Sequence, residues 1–146
     1  MAHKLLLQMP LQGMPFVWNI DRKVGTQASE PNDQDDVALV QMLFLISPPR
    51  IGGSATPGCT ARPNITGQVD HATGFWIYYA QVESVGTFKA DGNLSPLVGP
   101  ASLERLIVRL NLIGFRDNRS VWENLPNHAQ CPPYLKGKLI APARRG

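Results

Sequence analysis

Charge is scarce in this sequence. Asp, Glu, Lys and Arg make up 17% of it against 43% for hydrophobic residues, a balance that excludes a disordered, self-repelling chain and fits a folded unit. Cysteine is nearly absent: Cys59 and Cys131 allow at most one internal disulfide, between a central loop and the C-terminal segment. They fit equally well a reduced pair or a pair used between chains, since a domain of this size does not need the staple. No hydrophobic run approaches the length of a membrane span. The leucines at 5–7 are interrupted by Gln8, Pro10, Gln12 and Gly13 too soon to form a secretory h-region. The expectation is a product made in the cytoplasm without a signal peptide and with no membrane contact.

Catalytic patterns are missing as well. Hydrolysis of a glycan needs two carboxylates across one cleft, one held protonated by burial, and no pair is singled out here. Glu30, Asp33, Asp35 and Asp36 gather at a helix start, Glu83 and Glu104 fall on polar helix faces, and Glu123 sits in a turn-rich tail. His3, His71 and His128 are dispersed, and His128 with Cys131 is only half a metal site. Neither a nucleophile elbow nor a glycine loop that cradles phosphate occurs. The expectation is therefore a non-enzyme with no metal and no cofactor.

What is present suits one domain of 146 residues with much loop, since proline and glycine each occur 13 times. Met14, Phe16, Trp18 and Ile20 alternate with other residues, the period of a strand with one buried face, so residues 1–23 are read as an extended arm or hairpin. Asn32 is the expected N-cap of a first helix, and Asp33, Asp35 and Asp36 place negative charge at its dipole's positive end. DDVALVQMLFLI then continues it, apolar on most sides, until Pro48 and Pro49. Residues 47–64, with four prolines and three glycines, read as a long loop. A second helix is expected from Thr73 with Phe75, Tyr78, Tyr79 and Val82 on an aromatic face. A third is expected to open at Pro100, carrying Leu103, Leu106, Ile107 and Leu110 on one side and stopping at Gly114. The remainder reads as turns with a short strand at Leu139 and Ile140. Residues 101–146 hold 8 basic and 3 acidic side chains. They are scattered, with only Trp122 and Tyr134 as stacking groups, so a solvated or subunit-facing surface is preferred to a nucleic-acid site.

The order of these elements resembles the peptidoglycan-binding domain family. DDVALVQMLF is similar to its first helix through Asp36, Val37, Val40, Gln41 and, one position early, Leu43. GQVDHATGFWIYYAQ is similar to its second signature through Gly67, Val69, Asp70, Thr73, Gly74, Ile77 and Gln81. ADGNLSPLVGPASLERLIVRLN echoes a third through Asp91, Gly92, Leu94, Pro96, Leu110 and Asn111. The likeness runs from about residue 24 to residue 111. It departs from the family at His71, which replaces the turn glycine, at Ala80, which replaces an aromatic, and in the length of the 47–64 loop.

The resemblance implies a mainly α fold with a three-helix core at 24–114, between the N-terminal arm and a basic, loop-rich extension at 115–146. It implies a non-catalytic module that binds cell-wall peptidoglycan, with Gln41, Asp70, His71, Trp76, Tyr78 and Tyr79 as ligand-binding candidates. The residue-level alternative for Asp70 is an Asx-type turn, and for the aromatic side chains it is helix packing. Without a secretion signal, such a module reaches the wall as part of a bacteriophage virion or similar assembled particle. Residues 1–20, 47–64 and 115–146 would then meet neighbouring proteins. The rival is a structural or adaptor subunit of a virion that uses the fold for protein contacts and binds no glycan.

Overall fold

A computed structural model describes residues 1–26, 31–47, 62–85, 90–98 and 105–145, and the backbone at 50–51 and 54–55, with the side chains of 84–85 left out. In chain order the strands are His3–Leu11 (β1), Met14–Asn19 (β2) and Val24–Gly25 (β3), followed by helix Gln34–Ile46 (α1). Two short strands, Arg50–Ile51 (β4) and Ser54–Ala55 (β5), precede helix His71–Val85 (α2) and strand Asn93–Leu94 (β6). The chain ends with Leu106–Asp117 (α3), Arg119–Glu123 (α4), a 3-10 turn at Leu125–Asn127, Pro133–Ile140 (α5) and Arg144–Arg145 (β7).

The fold is mixed α/β, which corrects the expectation of a mainly α, three-helix protein. The three helices do form and touch, but a three-stranded sheet in the order β2-β1-β7 shares their interior. β1 pairs antiparallel with β2 and parallel with β7. The 1–23 segment is thus a hairpin built into the core rather than an appended arm. It closes through Gln12 and Gly13, at φ 51° and 88°. Two successive positive φ values give a turn whose twist matches that of the flanking strands.

The core runs continuously from Ala2 to Leu139. α1 is apolar nearly all round and is buried from Asp35 to Ile46 except at Leu45. It meets α2 where Phe44 packs edge-on against Trp76, with ring centroids 5.5 Å apart. An aromatic group ties the hairpin to the C-terminal helices: Phe16 stacks on Trp122 at 4.5 Å, and Phe115 meets the same indole edge-on at 5.4 Å.

Several local expectations are corrected. Asp33, not Asn32, caps α1, accepting from the Asp35 N–H, while Asn32 pairs with both backbone groups of Gly25. α3 begins at Leu106, and Pro100 and Leu103 lie outside the described residues. Gly114 does not stop α3, which continues to Asp117. Its missing side chain makes room for Trp122, because a Cβ there would lie 3.0 Å from the indole Cδ1. The tail is largely helical, and Leu139 and Ile140 close α5 instead of forming a strand, with Pro133 supplying the fixed φ of a first turn. Within 47–64, β4 and β5 pair antiparallel. Cys131 is a free thiol, and Cys59 lies outside the described residues.

With few charges and much irregular chain, the fold relies on side-chain amides to satisfy buried backbone. Asn111 on α3 accepts from the Trp18 N–H at 2.9 Å and donates to the Trp18 carbonyl at 3.0 Å, and its oxygen also accepts from the Trp122 indole at 3.0 Å. Asn19 does the same for Leu97, with both bonds at 2.9 Å. In each case the carboxamide acts as a one-residue strand partner, supplying the donor and acceptor that a ladder would otherwise provide.

Candidate functional site

The residues expected to bind ligand divide according to what holds them. Gln41 is fully buried on α1. Its oxygen accepts from the N–H groups of Thr66 and Gly67 at 2.9 and 3.0 Å, and its nitrogen donates to the Gln68 carbonyl and the Thr73 hydroxyl, both at 3.0 Å. It clamps the turn that leads into α2 and offers nothing outward. Asp70 precedes that helix and accepts from the N–H and hydroxyl of Thr73 at 2.9 and 2.6 Å. Partial burial opposes its ionisation, but these bonds outweigh burial and hold the carboxyl below its ordinary range. Trp76 is 1% exposed against Phe44.

What remains accessible is one side of α2. His71, Phe75 and Tyr79 follow each other at four-residue spacing, with ring centroids 6.3 and then 6.0 Å apart, the second pair nearly parallel. Tyr78 beside them is 44% exposed. Helical spacing stacks side chains at i and i+4 on one face, so the row forms an aromatic ledge along α2. Of the six candidates, the structure brings His71, Tyr78 and Tyr79 to this surface, buries Gln41 and Trp76, and commits the exposed Asp70 to bonds with Thr73.

Gln81, near the end of α2, repeats the arrangement of Gln41. It accepts from the Gly92 N–H at 2.9 Å and donates to the Asn93 carbonyl and the Asp91 carboxylate. Gly67 and Gly92, the glycines of the two clamped turns, have φ 75° and 78°, the left-handed region in which glycine carries no steric penalty.

A concavity lies elsewhere, at the N-terminal hairpin. A cleft of about 540 Å³ lies against β1, lined there by His3, Leu5, Leu7, Gln8 and Met9, the last three in the stretch where the register with β2 shifts. Its walls are the 96–98 segment and β7. At its polar end Arg144 donates twice to Asp21, at 2.7 and 3.1 Å. Burial opposes ionisation of Asp21, but the bonds from Arg144 and the Met1 ammonium prevail and hold it at about 2. Burial, above all, lowers the His3 pKa from its ordinary value. Its Nδ1 faces the Met1 carbonyl at 2.8 Å and its Nε2 faces the Asn19 amide nitrogen, so the proton belongs on Nδ1. The unbroken leucines at 5–7 hide any period-two alternation in β1, so its lining positions carry no local signal for a cleft.

Among the described residues no three His, Cys, Asp or Glu side chains converge as metal donors, and no helix is long and apolar enough to cross a membrane. No protein-family model, curated protein or solved structure matches this chain.

Proposed function

We propose that this chain is a non-catalytic recognition module related to the peptidoglycan-binding family, working within an assembled particle such as a phage virion, and that its glycan-facing surface is the row His71, Phe75, Tyr78 and Tyr79 on α2. The observation that carries the reading is the repeated glutamine clamp. Gln41, Gly67, Asp70, Thr73, Gln81 and Gly92, which carry much of the sequence resemblance, are the residues that join α1 to the turn before α2 and α2 to the turn after it. A family signature made of such joints marks a shared way of connecting helices and leaves ligand contact to exposed side chains, here the aromatic ledge. The added sheet does not interrupt these joints.

Retention on purified peptidoglycan sacculi tests the reading. The folded protein is expected to sediment with sacculi, and Tyr78→Ala and His71→Ala to lower retention at least several-fold without loss of helical circular dichroism. A folded monomer that stays in the supernatant, or variants retained like the parent, would refute it.

The adaptor reading is favoured by a different feature. β1 extends to Leu11, but β7 pairs only with Leu5 and Leu6, so the outer backbone of residues 7–11 has no ladder partner among the described residues. Such an edge accepts a strand from another protein. Binding to a particle neighbour that is lost on Gln8→Pro, with no retention on sacculi, would favour that reading.

A further inference from the structure

We infer that the exposed face of α3 is a binding surface for the phosphate backbone of duplex nucleic acid, contacted without regard to base sequence and independently of the glycan reading of α2. The basic residues of the C-terminal segment look scattered along the chain, but the helix brings three of them into line. Arg105, the N-cap of α3, is followed by Arg109, Leu112 and Arg116 at intervals of four, three and four residues, the repeat that keeps side chains on one side of a helix. The positions between them are buried, whereas Arg109 and Arg116 are exposed. Among the described residues neither of these two guanidinium groups has a carboxylate partner.

The ends of the stripe are set in place before a ligand arrives. Arg105 donates one N–H to the Pro96 carbonyl at 2.8 Å. Arg119, which opens α4 just beyond, lies over the Phe115 ring with its Cζ 3.9 Å from the centroid and donates its Nε–H to the Phe115 carbonyl at 3.2 Å. A guanidinium has five N–H donors, so each keeps most of its fork for an incoming oxygen.

Charge density selects the partner. At about 1.5 Å per residue, Arg105 to Arg116 spans roughly 16 Å, along which a duplex presents a negative charge about every 1.7 Å of its axis. With the helix laid along the backbone, every guanidinium of the stripe has a phosphate within reach, and the planar fork matches phosphate oxygens in pairs. Asp117 and Glu123 are the acidic residues of α3 and α4, too few to cancel the arginines. An acidic protein is the poorer fit. Protein interfaces are centred on apolar and aromatic anchors, and this stripe offers only the half-buried Leu112. The same lack of an exposed ring removes the platform on which unpaired bases stack, which favours a duplex over a single strand.

A fluorescently labelled duplex of about 20 base pairs and mixed sequence is the probe, titrated with the intact chain and read by anisotropy at several salt concentrations. It is expected to bind, with affinity falling about 40- to 150-fold between about 50 and 200 mM salt, the dependence of three to four phosphate contacts. A duplex of unrelated sequence is expected to bind within about twofold of it. Arg109→Gln and Arg116→Gln alter exposed positions, and circular dichroism checks that helix content is kept. Each is expected to weaken binding several-fold and to lower the log–log salt slope by about 0.9. Lys136→Gln and Arg145→Gln remove exposed charges from α5 and β7 and are expected to change the slope by less than half as much. No binding at about 50 mM salt, a slope unchanged in both α3 variants, or equal losses from the α5 and β7 variants would each overturn the inference. So would polyglutamate that displaces the probe as well as unlabelled duplex does, which would point to an acidic protein instead.

Discussion

Replacing Gln41 by leucine separates a clamp from a ligand contact. The amide holds two N–H groups and a carbonyl of the 66–68 turn, and Gly67 is buried there. Leucine matches the volume but supplies neither donor nor acceptor. The Gly67 N–H then loses its partner away from water, at a cost of about 1–3 kcal/mol, while Thr66 and Gln68 are exposed and recover part of their loss through hydration, at about 0.5–1 kcal/mol each. The Thr73 hydroxyl keeps its bond to Asp70. A net loss of about 3 kcal/mol follows, a large share of the ~5–15 kcal/mol that holds a domain together, and it should lower Tm by roughly 6–12 °C at this size. Urea unfolding followed by tryptophan fluorescence measures it, and amide exchange should accelerate at Thr66 and Gly67 before the rest of α2. Gln41→Glu is the finer probe. It keeps the acceptor and, when protonated, one donor, so its stability should fall as pH rises and the buried carboxyl ionises. A loss below about 1 kcal/mol for leucine, or a stable variant that no longer binds sacculi, would refute the clamp and return Gln41 to the ligand surface.

Three further outcomes follow from particular residues. Gln12→Gly should stabilise the hairpin by about 1 kcal/mol, because Gln12 sits at φ 51° where a side chain is strained, and thermal melting would show the gain; a lower Tm would contradict the turn geometry. Gly25→Ala should destabilise by more than about 3 kcal/mol in chemical denaturation, since a Cβ there would run into the Gly92 carbonyl and Asn93 of the paired strand, and a neutral result would rule out the β3–β6 pairing. Asp35 is raised to about 6, first by burial and then by its hydrogen bond to Asp33, which is lowered. Between about pH 4 and 6 the folded chain therefore holds a proton that the unfolded chain releases, and stability falls as pH rises through that window. Asp35→Asn removes the slope while keeping an acceptor for the Ala2 N–H. Its advantage should open above about pH 4 and level off at about 1–2 kcal/mol above about pH 6, less than the full shift because Asp33 offsets part of it; parallel pH profiles for the two proteins would contradict the assignment.

The helices could be read in advance wherever local chemistry was sufficient. α1 announced itself through its acidic first turn and apolar run, and α2 through its aromatic spacing. The cap of α1 falls one residue past the expected Asn32 because Asn32 and Asp33 are both good caps, and the choice depends on Gly25 of β3, which claims the Asn32 amide. Gly114 looked like a stop because glycine usually ends helices; here it stays helical to admit Trp122 and Ile46. Of the candidate site, the exposed aromatic residues were legible but their separation from Trp76 and Gln41 was not, since periodicity names a face without saying what lies against it.

By itself, then, the sequence determined the helical stretches of α1 and α2, because acidic first turns and apolar or aromatic spacing depend on neighbours within a turn or two of chain. Tertiary structure alone decided the sheet, the cleft and the burial of Gln41 and Trp76. Asn19 meets Leu97, Trp18 meets Asn111 and Asp21 meets Arg144 across 78, 93 and 123 residues. A side chain carries no local mark of such a partner. The pairing is settled only when the whole chain finds the arrangement that buries its apolar surface and leaves the fewest backbone groups unbonded.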